Sequence, residues 1–94
     1  MTDPRAWLAA RTPQPPEALM LPVPEGAGSV TERLVEGGLD ALERALVEEG
    51  ERSGAFELLA ADALLTYACE SAAAAADPEH ELLRILERMA RRGA

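Results

Sequence analysis

Apolar residues recur at helical spacing in three stretches of the chain, and these stretches define its predicted elements. Between Ser29 and Glu49, leucines and valines recur every three or four residues with acidic side chains between them, which predicts an amphipathic helix. The stretch 54–76 is apolar on nearly every side, and the stretch 78–92 carries a leucine stripe opposite several arginines. We therefore predict helices at about 29–49, 54–76 and 78–92.

Capping residues mark where these helices begin and end. Ser29 precedes the first helix and Glu32 follows three positions later, which is the capping-box arrangement that satisfies free amides at a helix start. Asp77 followed by Pro78 gives another start, and Gly93 ends the last helix. Because the links between the helices are short, we expect consecutive helices to run antiparallel.

These features predict an all-α fold, a small antiparallel three-helix bundle. We expect the helix at 54–76 to be its hub, enclosed on all sides, because its apolar groups point in every direction. The acids of the first helix should face solvent, and so should the arginines of the last helix. The apolar stripe of the last helix should be buried, and it consists of Leu82, Leu83, Leu86 and Met89 with Ile85 alongside.

Two adjacent glycines, Gly37 and Gly38, interrupt the first of these helices. Each costs about 1 kcal/mol relative to alanine in a helix interior, so another interaction must offset them. Gly38 lies on the apolar stripe with Leu34 and Leu42. We therefore expect the close approach of a neighbouring helix at this point, with a helix kink as the alternative.

Residues 1–28 form a proline-rich arm that precedes the bundle domain of residues 29–94. Six of the seven prolines lie in this arm, and the Asp3-Pro4 pair predicts a helix of about two turns from residue 4 to residue 10. After the extended segment TPQPP at 12–16, one more helical turn is expected at 16–20.

Two interpretations of the arm compete. In the one that we favour, the arm packs across the bundle and covers the extra apolar face of the central helix, because a lone tryptophan among leucines is more often a packing anchor than an exposed hook. In the other, the arm is free and its TPQPP segment binds a groove on another protein. The expected packing or interaction anchors are Trp7, Leu8, Phe56 and Tyr67, and Leu19, Met20 and Leu21 contribute to the packed form.

The charge balance limits the expected partners. The net charge is −8, all nine basic residues are arginine, and the segment 17–81 alone carries −12. Such an acidic body repels phosphate backbones, which argues against nucleic acid as a partner, although the arginine-rich segment from 82 onward, at +3, leaves weak contact open. The all-arginine usage is a habit of GC-rich genomes and suggests a bacterial source.

Cys69 is the only cysteine, which excludes an internal disulfide and fits a reducing compartment. We expect a cytoplasmic protein, since the sequence contains neither a signal-peptide pattern nor an apolar run of the length that a membrane span requires.

One line of polar residues resembles a chemical site. Asp62, Thr66 and Glu70 recur every four residues along the central helix, with Cys69 one step around it. Paired carboxylates can bind a metal or share a proton, but at this spacing they more often form the solvent-facing seam of a helix, which is the interpretation we favour. Asp77 and His80 have the carboxylate-x-x-His spacing of metal-binding bundles, yet a helix start explains both residues.

No catalytic, cofactor-binding or metal-binding residues are therefore assigned, and no cofactor is expected. We predict a small, acidic, non-enzymatic helical protein that takes part in protein–protein interaction, either with another component or with itself as a homodimer, because its apolar helix surface exceeds what the bundle covers. The alternative is a small-molecule or metal-binding protein that uses the line of Asp62, Thr66 and Glu70 facing inward on a cavity.

Overall fold

The computed structural model describes residues 3–11, 23–24 and 28–93. Its elements are the four helices α1 (Pro4–Ala9), α2 (Val30–Val47), α3 (Arg52–Ala73) and α4 (Pro78–Gly93). The described ranges contain no strand, so the predicted all-α class is confirmed. The helical turn expected at 16–20 and the extended segment at 12–16 lie outside the described residues.

The predicted caps explain where α2 and α4 begin. The Ser29 hydroxyl accepts a hydrogen bond from the Glu32 amide at 3.1 Å, and the Glu32 carboxylate accepts one from the Ser29 amide at 3.5 Å. The capping box is therefore present. At the start of α4, the Asp77 carboxylate accepts a hydrogen bond from the His80 amide at 3.2 Å. Both helix starts are thus fixed by side chains close in sequence.

Helices α2 and α3 lie side by side and run in opposite directions. Near the start of α2 the Thr31 hydroxyl oxygen lies 2.8 Å from that of Ser71, which is near the end of α3. Near the end of α2 the Arg44 Nε atom donates to the carboxylate of Glu57, in the second turn of α3, at 3.0 Å. Residue numbers therefore increase along α2 while those of their partners in α3 decrease. The two helices form an antiparallel hairpin.

Gly38 is a point of close approach within this hairpin. A Cβ atom built on Gly38 would lie 2.7 Å from the Leu65 Cγ atom and 3.3 Å from the Leu65 backbone nitrogen. A side chain at this position would force Leu65 to shift, so the predicted close approach of a neighbouring helix is confirmed. Contacts with α3 offset the helix propensity that the glycine loses.

The turn between α2 and α3 also depends on glycine. Gly50 has a backbone φ of 88°, a conformation that side-chain-bearing residues rarely adopt. Gly54, in the first turn of α3, packs so closely that a Cβ atom would lie 2.3 Å from the Glu48 carbonyl oxygen. Helix α3 consequently begins at Arg52, two residues before its predicted start, and it ends at Ala73, three before its predicted end.

Helix α4 packs against α2 and α3 and runs parallel to α2. Its register follows from ion pairs whose residue numbers rise together along the two helices. The pairs are Arg84 with Glu32, Arg88 with Glu36, and Arg92 with Asp40. Ile85 enters the main apolar core of the α2–α3 hairpin, where it is 5% exposed. The three long helices therefore pack together and alternate in direction.

The core is organised around α2, and the prediction that the helix at 54–76 is enclosed on all sides is wrong. The buried apolar side chains of α2 are Leu34, Val35, Leu39 and Ala41. Helix α3 buries only one face, which is made mainly of alanines. Phe56, Leu58 and Leu59 are each more than half exposed.

Relative helix length explains this exposure. Helix α4 has 16 residues, whereas α2 has 18 and α3 has 22. The last ion-pair contact of α4 on α2 is at Glu43, before the end of α2 at Val47. The turn end of the α2–α3 hairpin therefore projects past α4, and large side chains there have no third helix to cover them.

The described parts of the arm pack on the other helices. Leu8 of α1 and Val23 are buried in the main core. The Trp7 ring meets the Tyr67 ring edge to face, with centroids 6.1 Å apart, and the Arg11 guanidinium carbon lies 4.0 Å from the Trp7 ring centroid. Three of the four expected anchors thus take part in packing, and Phe56 does not. The expected contribution of residues 19–21 lies outside the described residues.

Candidate protein-binding surface

The outer side of α4 carries large apolar side chains that contact solvent. We define the leucine face as Leu82, Leu83, Leu86 and Met89, which are 37%, 51%, 62% and 36% exposed. Ile85 is the only residue of the apolar stripe predicted for the last helix that is buried in the structure. The sequence-based prediction is therefore wrong for the other four residues.

The side of α4 that faces α2 carries charge instead. We define the arginine ladder as three arginines of α4 with four acids of α2, namely Arg84, Arg88, Arg92, Glu32, Glu36, Asp40 and Glu43. Arg88 binds Glu36 through two nitrogens, one of them 3.0 Å from the carboxylate oxygen. Arg84 reaches Glu32 more loosely, at 3.8 Å. The expectation that these acids and arginines face solvent therefore holds for Arg84, Glu32 and Glu43, which are exposed, and fails for Arg92, whose side chain is only 18% exposed. Sequence analysis did not predict that the two sets pair with each other.

Arg92 is the most extensively paired member of the ladder. Its guanidinium nitrogens lie 2.6 Å from Glu43, 2.9 Å from Asp40 and 3.1 Å from Glu36. The hydrogen bonds that Arg92 donates to Glu43 and to Asp40 raise the pKa of Arg92 above its ordinary value. Arg92 therefore stays protonated at any physiological pH and joins the end of α4 to two turns of α2.

Matching helical spacing builds the ladder. The arginines recur every four residues on α4, and the acids recur at intervals of four, four and three residues on α2. Since α4 runs parallel to α2, each successive turn of one helix brings an arginine against an acid of the other. Placing the arginines toward α2 leaves the leucine face of α4 on its other flank, because the two stripes occupy different sides of the same helix.

A groove of about 470 Å³ lies between α2 and α4. Its charged lining consists of four arginines and four glutamates, which are Arg33, Arg84, Arg88, Arg91, Glu32, Glu36, Glu81 and Glu87. The two signs balance, and Arg84 and Arg88 are already paired across the groove. This lining therefore favours neither an anionic nor a cationic ligand.

The polar line on α3 lies elsewhere. Asp62, Thr66 and Glu70 are all exposed, and none of them lines the groove. Glu70 accepts a hydrogen bond from Arg11 at 3.4 Å. The alternative function requires these groups to face inward on a cavity, and the structure places them on the outer surface of the helix. Cys69 beside them is a free, exposed thiol.

The Asp77 and His80 pair is a helix cap in the structure. Asp77 accepts the His80 amide hydrogen bond described above, and the His80 residue is exposed. Among the described residues, no group of three or more histidine, cysteine, aspartate or glutamate side chains is arranged to hold a metal ion. Among the described residues, Asp77 and His80 therefore have no further side chains beside them that could complete a metal site.

A second exposed apolar region lies at the turn end of the hairpin. It consists of Leu46, Val47, Phe56, Leu58 and Leu59. Leu46 belongs to the apolar periodicity that predicts α2, and Phe56 is one of the expected packing or interaction anchors; both are exposed in the structure. Comparing the predicted helix lengths would have suggested this, because the shorter last helix cannot cover both ends of the hairpin.

Within the described ranges, no helix is both long enough and apolar enough to pass through a membrane. Comparison of the chain with known protein families, with curated proteins and with solved structures gives no match.

Proposed function

We propose that this protein is a non-enzymatic protein-interaction module whose three long helices form a bundle, and whose binding surface is the leucine face of α4. The observation that carries the proposal is the exposure of Leu82, Leu83, Leu86 and Met89 together on one flank of a helix. Scattered apolar residues are normal on protein surfaces, but a contiguous group on one helix face is typical of an interaction site. The cytoplasmic location expected from the sequence is part of this proposal.

The size of the leucine face sets the free energy available for binding. The exposed fractions of its four residues add up to about two whole side chains. Full burial of a leucine or methionine side chain contributes roughly 1.5–3 kcal/mol, so covering this face would yield about 3–6 kcal/mol. Association itself costs roughly 4–15 kcal/mol in lost translational and rotational freedom, so a stable complex also requires burial of apolar surface on the partner.

The arginine ladder supports a protein partner over nucleic acid. Arg84, Arg88 and Arg92 are occupied by acids of α2. Their charge is largely neutralised where a phosphate backbone would have to bind, which removes the electrostatic attraction on which such binding depends. We therefore propose a protein as the partner and assign the chain no reaction, metal or cofactor.

Site-specific photo-cross-linking tests this proposal. A benzophenone amino acid at position 83, within the leucine face, should cross-link to a protein when the variant is made in the cells that produce the protein naturally. The matched control carries the same amino acid at Thr66, which is exposed on α3 outside the leucine face. Cross-linked species should form from position 83 and not from position 66.

A further variant shows whether cross-linking from position 83 depends on binding at the leucine face or only on a nearby protein. Leu86→Glu places a charge in the middle of the leucine face and should abolish cross-linking from position 83, because burying an unpaired carboxylate is costly. Equal cross-linking from positions 83 and 66, or none from either, would contradict the proposal that this face binds protein.

A further inference from the structure

We propose that the groove between α2 and α3, on the side where α4 packs, binds a basic amphipathic helix of another protein next to the hairpin turn. Helix α4 covers the half of this groove that is far from the turn, and the other half is open. We define the turn-end groove as this open half, which consists of Leu42, Leu46 and Leu58 with the acids Glu51 and Asp62. It is a second binding surface, separate from the leucine face, and it allows one chain to hold two partners.

Leu46 lies on the side of α2 that faces α4. Val35, on the same side, lines the space between the two helices together with Ile85 of α4. Three leucines follow Val35 on one helix face, at intervals of four, three and four residues, and they are Leu39, Leu42 and Leu46. The first is buried, the second is half-buried and the third is 66% exposed. Burial therefore decreases along this face towards the turn, where α4 no longer covers it.

Leu58 lies on the matching side of α3, opposite Leu46. It precedes Leu65 by seven residues and so shares its helix face, and Leu65 packs against the main apolar core. Because Arg44 of α2 pairs with Glu57 of α3, Leu46 lies within about one helical turn of Leu58 along the hairpin. Leu58 is 55% exposed. Two exposed leucines therefore line facing walls of the turn-end groove.

Acidic side chains flank these leucines. Glu51 precedes Leu58 by seven residues and Asp62 follows it by four, so both lie near the face of α3 that carries Leu58. Both acids are exposed, and neither has an ion pair with any described residue. The segment 43–62 contains six acids and two arginines, which gives it a net charge of −4. This charge attracts a basic partner and repels nucleic acid and anionic lipid.

The packing of α4 shows what kind of segment the groove accepts. Helix α4 buries Ile85 against the core and pairs arginines at four-residue spacing with acids of α2. The turn-end groove offers the same combination of apolar and acidic side chains. Among the described residues its acids are not grouped to hold a metal ion, so basic side chains are the matching charges. The partner is therefore a helix with apolar residues on one side and arginine or lysine beside them.

Fluorescence anisotropy with a designed peptide tests this proposal on the purified full-length protein. The labelled probe is a peptide of about four helical turns with leucines at alternating intervals of three and four residues, arginines beside them and alanines elsewhere. A matched peptide has glutamate in place of every arginine. The arginine peptide should bind with a dissociation constant of roughly 10–500 μM, and the glutamate peptide should not bind at up to about 1 mM.

Leu58→Ser and Leu59→Ser form a matched pair of variants. The two leucines are 55% and 53% exposed, but they point about 100° apart around α3, so only Leu58 faces the turn-end groove. Leu58→Ser should weaken binding of the arginine peptide roughly 4- to 15-fold, because the peptide can no longer bury that side chain. Leu59→Ser should stay within about twofold of the wild type. Circular dichroism should show unchanged helix content in both, since both side chains are exposed.

Charge reversal separates a local contact from the effect of net charge. Glu51→Arg/Asp62→Arg should weaken binding roughly tenfold or more at about 0.1 M salt, because two attractive contacts become repulsive. The control Glu79→Arg/Glu87→Arg changes the net charge equally. Both of its acids are exposed on α4 and have no ion pair with any described residue. This control should weaken binding less than about threefold.

Several results would overturn the turn-end groove as a binding site. They are the absence of binding to the wild type at about 1 mM, equal effects of Leu58→Ser and Leu59→Ser, and equal effects of the two charge reversals. Binding that is lost in Leu86→Glu but unchanged in Leu58→Ser would place the peptide on the leucine face instead. Cross-linking from position 83 is measured independently of these variants, so the proposed function stands or fails separately.

Discussion

The arginine ladder predicts that Arg92→Gln destabilises the fold although the residue lies near the end of the chain. Arg92 contacts Glu36, Asp40 and Glu43 and its side chain is only 18% exposed. A single exposed ion pair contributes about 0.2–1 kcal/mol, so losing three partly shielded contacts should cost about 1–2 kcal/mol. For a domain of this size, that corresponds to a fall in melting temperature of roughly 5–15 °C.

Urea unfolding followed by circular dichroism measures this cost, and the neighbouring residue provides the control. Arg91→Gln removes the same charge from the same turn of α4, but Arg91 is exposed and has no ion pair with any described residue. Its free energy of unfolding should stay within about 0.5 kcal/mol of the wild type. The samples are kept dilute so that self-association does not contribute.

Salt dependence identifies the cause. If Arg92 acts through charge, the difference between Arg92→Gln and the wild type should fall to less than half between about 20 mM and about 0.5 M sodium chloride, because salt screens partly exposed ion pairs. Combining Arg92→Gln with Asp40→Asn should cost less than the sum of the two single changes. Equal effects of Arg91→Gln and Arg92→Gln, or a cost unchanged by salt, would refute the proposed docking of α4 through the ladder.

Three further predictions test packing and capping by thermal or urea unfolding. Ile85→Ala should cost about 2–4 kcal/mol because Ile85 is buried, whereas Leu86→Ala should cost less than about 1 kcal/mol; equal costs would mean that α4 is turned differently. Gly38→Ala should destabilise the protein by about 1–3 kcal/mol despite the better helix propensity of alanine, because its Cβ would overlap Leu65, and a stabilised variant would contradict that close approach. Ser29→Ala should cost about 0.5–2 kcal/mol and speed amide hydrogen exchange in the first turn of α2, and unchanged exchange would show that the cap contributes little.

Local signals in the sequence were sufficient for the helices themselves. Ser29 with Glu32, and Asp77 with Pro78, act over three residues, so their geometry does not depend on the rest of the fold. Gly38 was also informative, since a glycine in a helix interior that lies on an apolar stripe indicates backbone contact. The extent of burial was not predictable in the same way. Whether the first turns of α3 are covered depends on the length and position of another helix.

The orientation of α4 could not be predicted, because two stripes of one helix compete for the same neighbour. The usual rule places the apolar stripe inward, and it treats arginines as solvent-facing by default. That default fails here because α2 offers acids at the spacing of Arg84, Arg88 and Arg92, and Ile85 provides a buried apolar contact beside them. Either stripe of α4 can pack inward if the neighbouring helix presents complementary side chains. The periodicity of α4 alone does not show which side chains that neighbour presents.

This competition has a consequence for function. Because the arginines of α4 face α2, the leucine face stays exposed in the monomer. Its burial would contribute about 3–6 kcal/mol that the monomer does not gain. A partner that covers the leucine face gains this free energy without displacing the ladder, so folding and binding use opposite flanks of α4. Weakening the ladder should therefore lower the stability of the monomer, whereas Leu86→Glu should abolish association and leave the monomer folded. If the same substitution impaired both properties equally, the two flanks would not be independent and the leucine face would belong to the core.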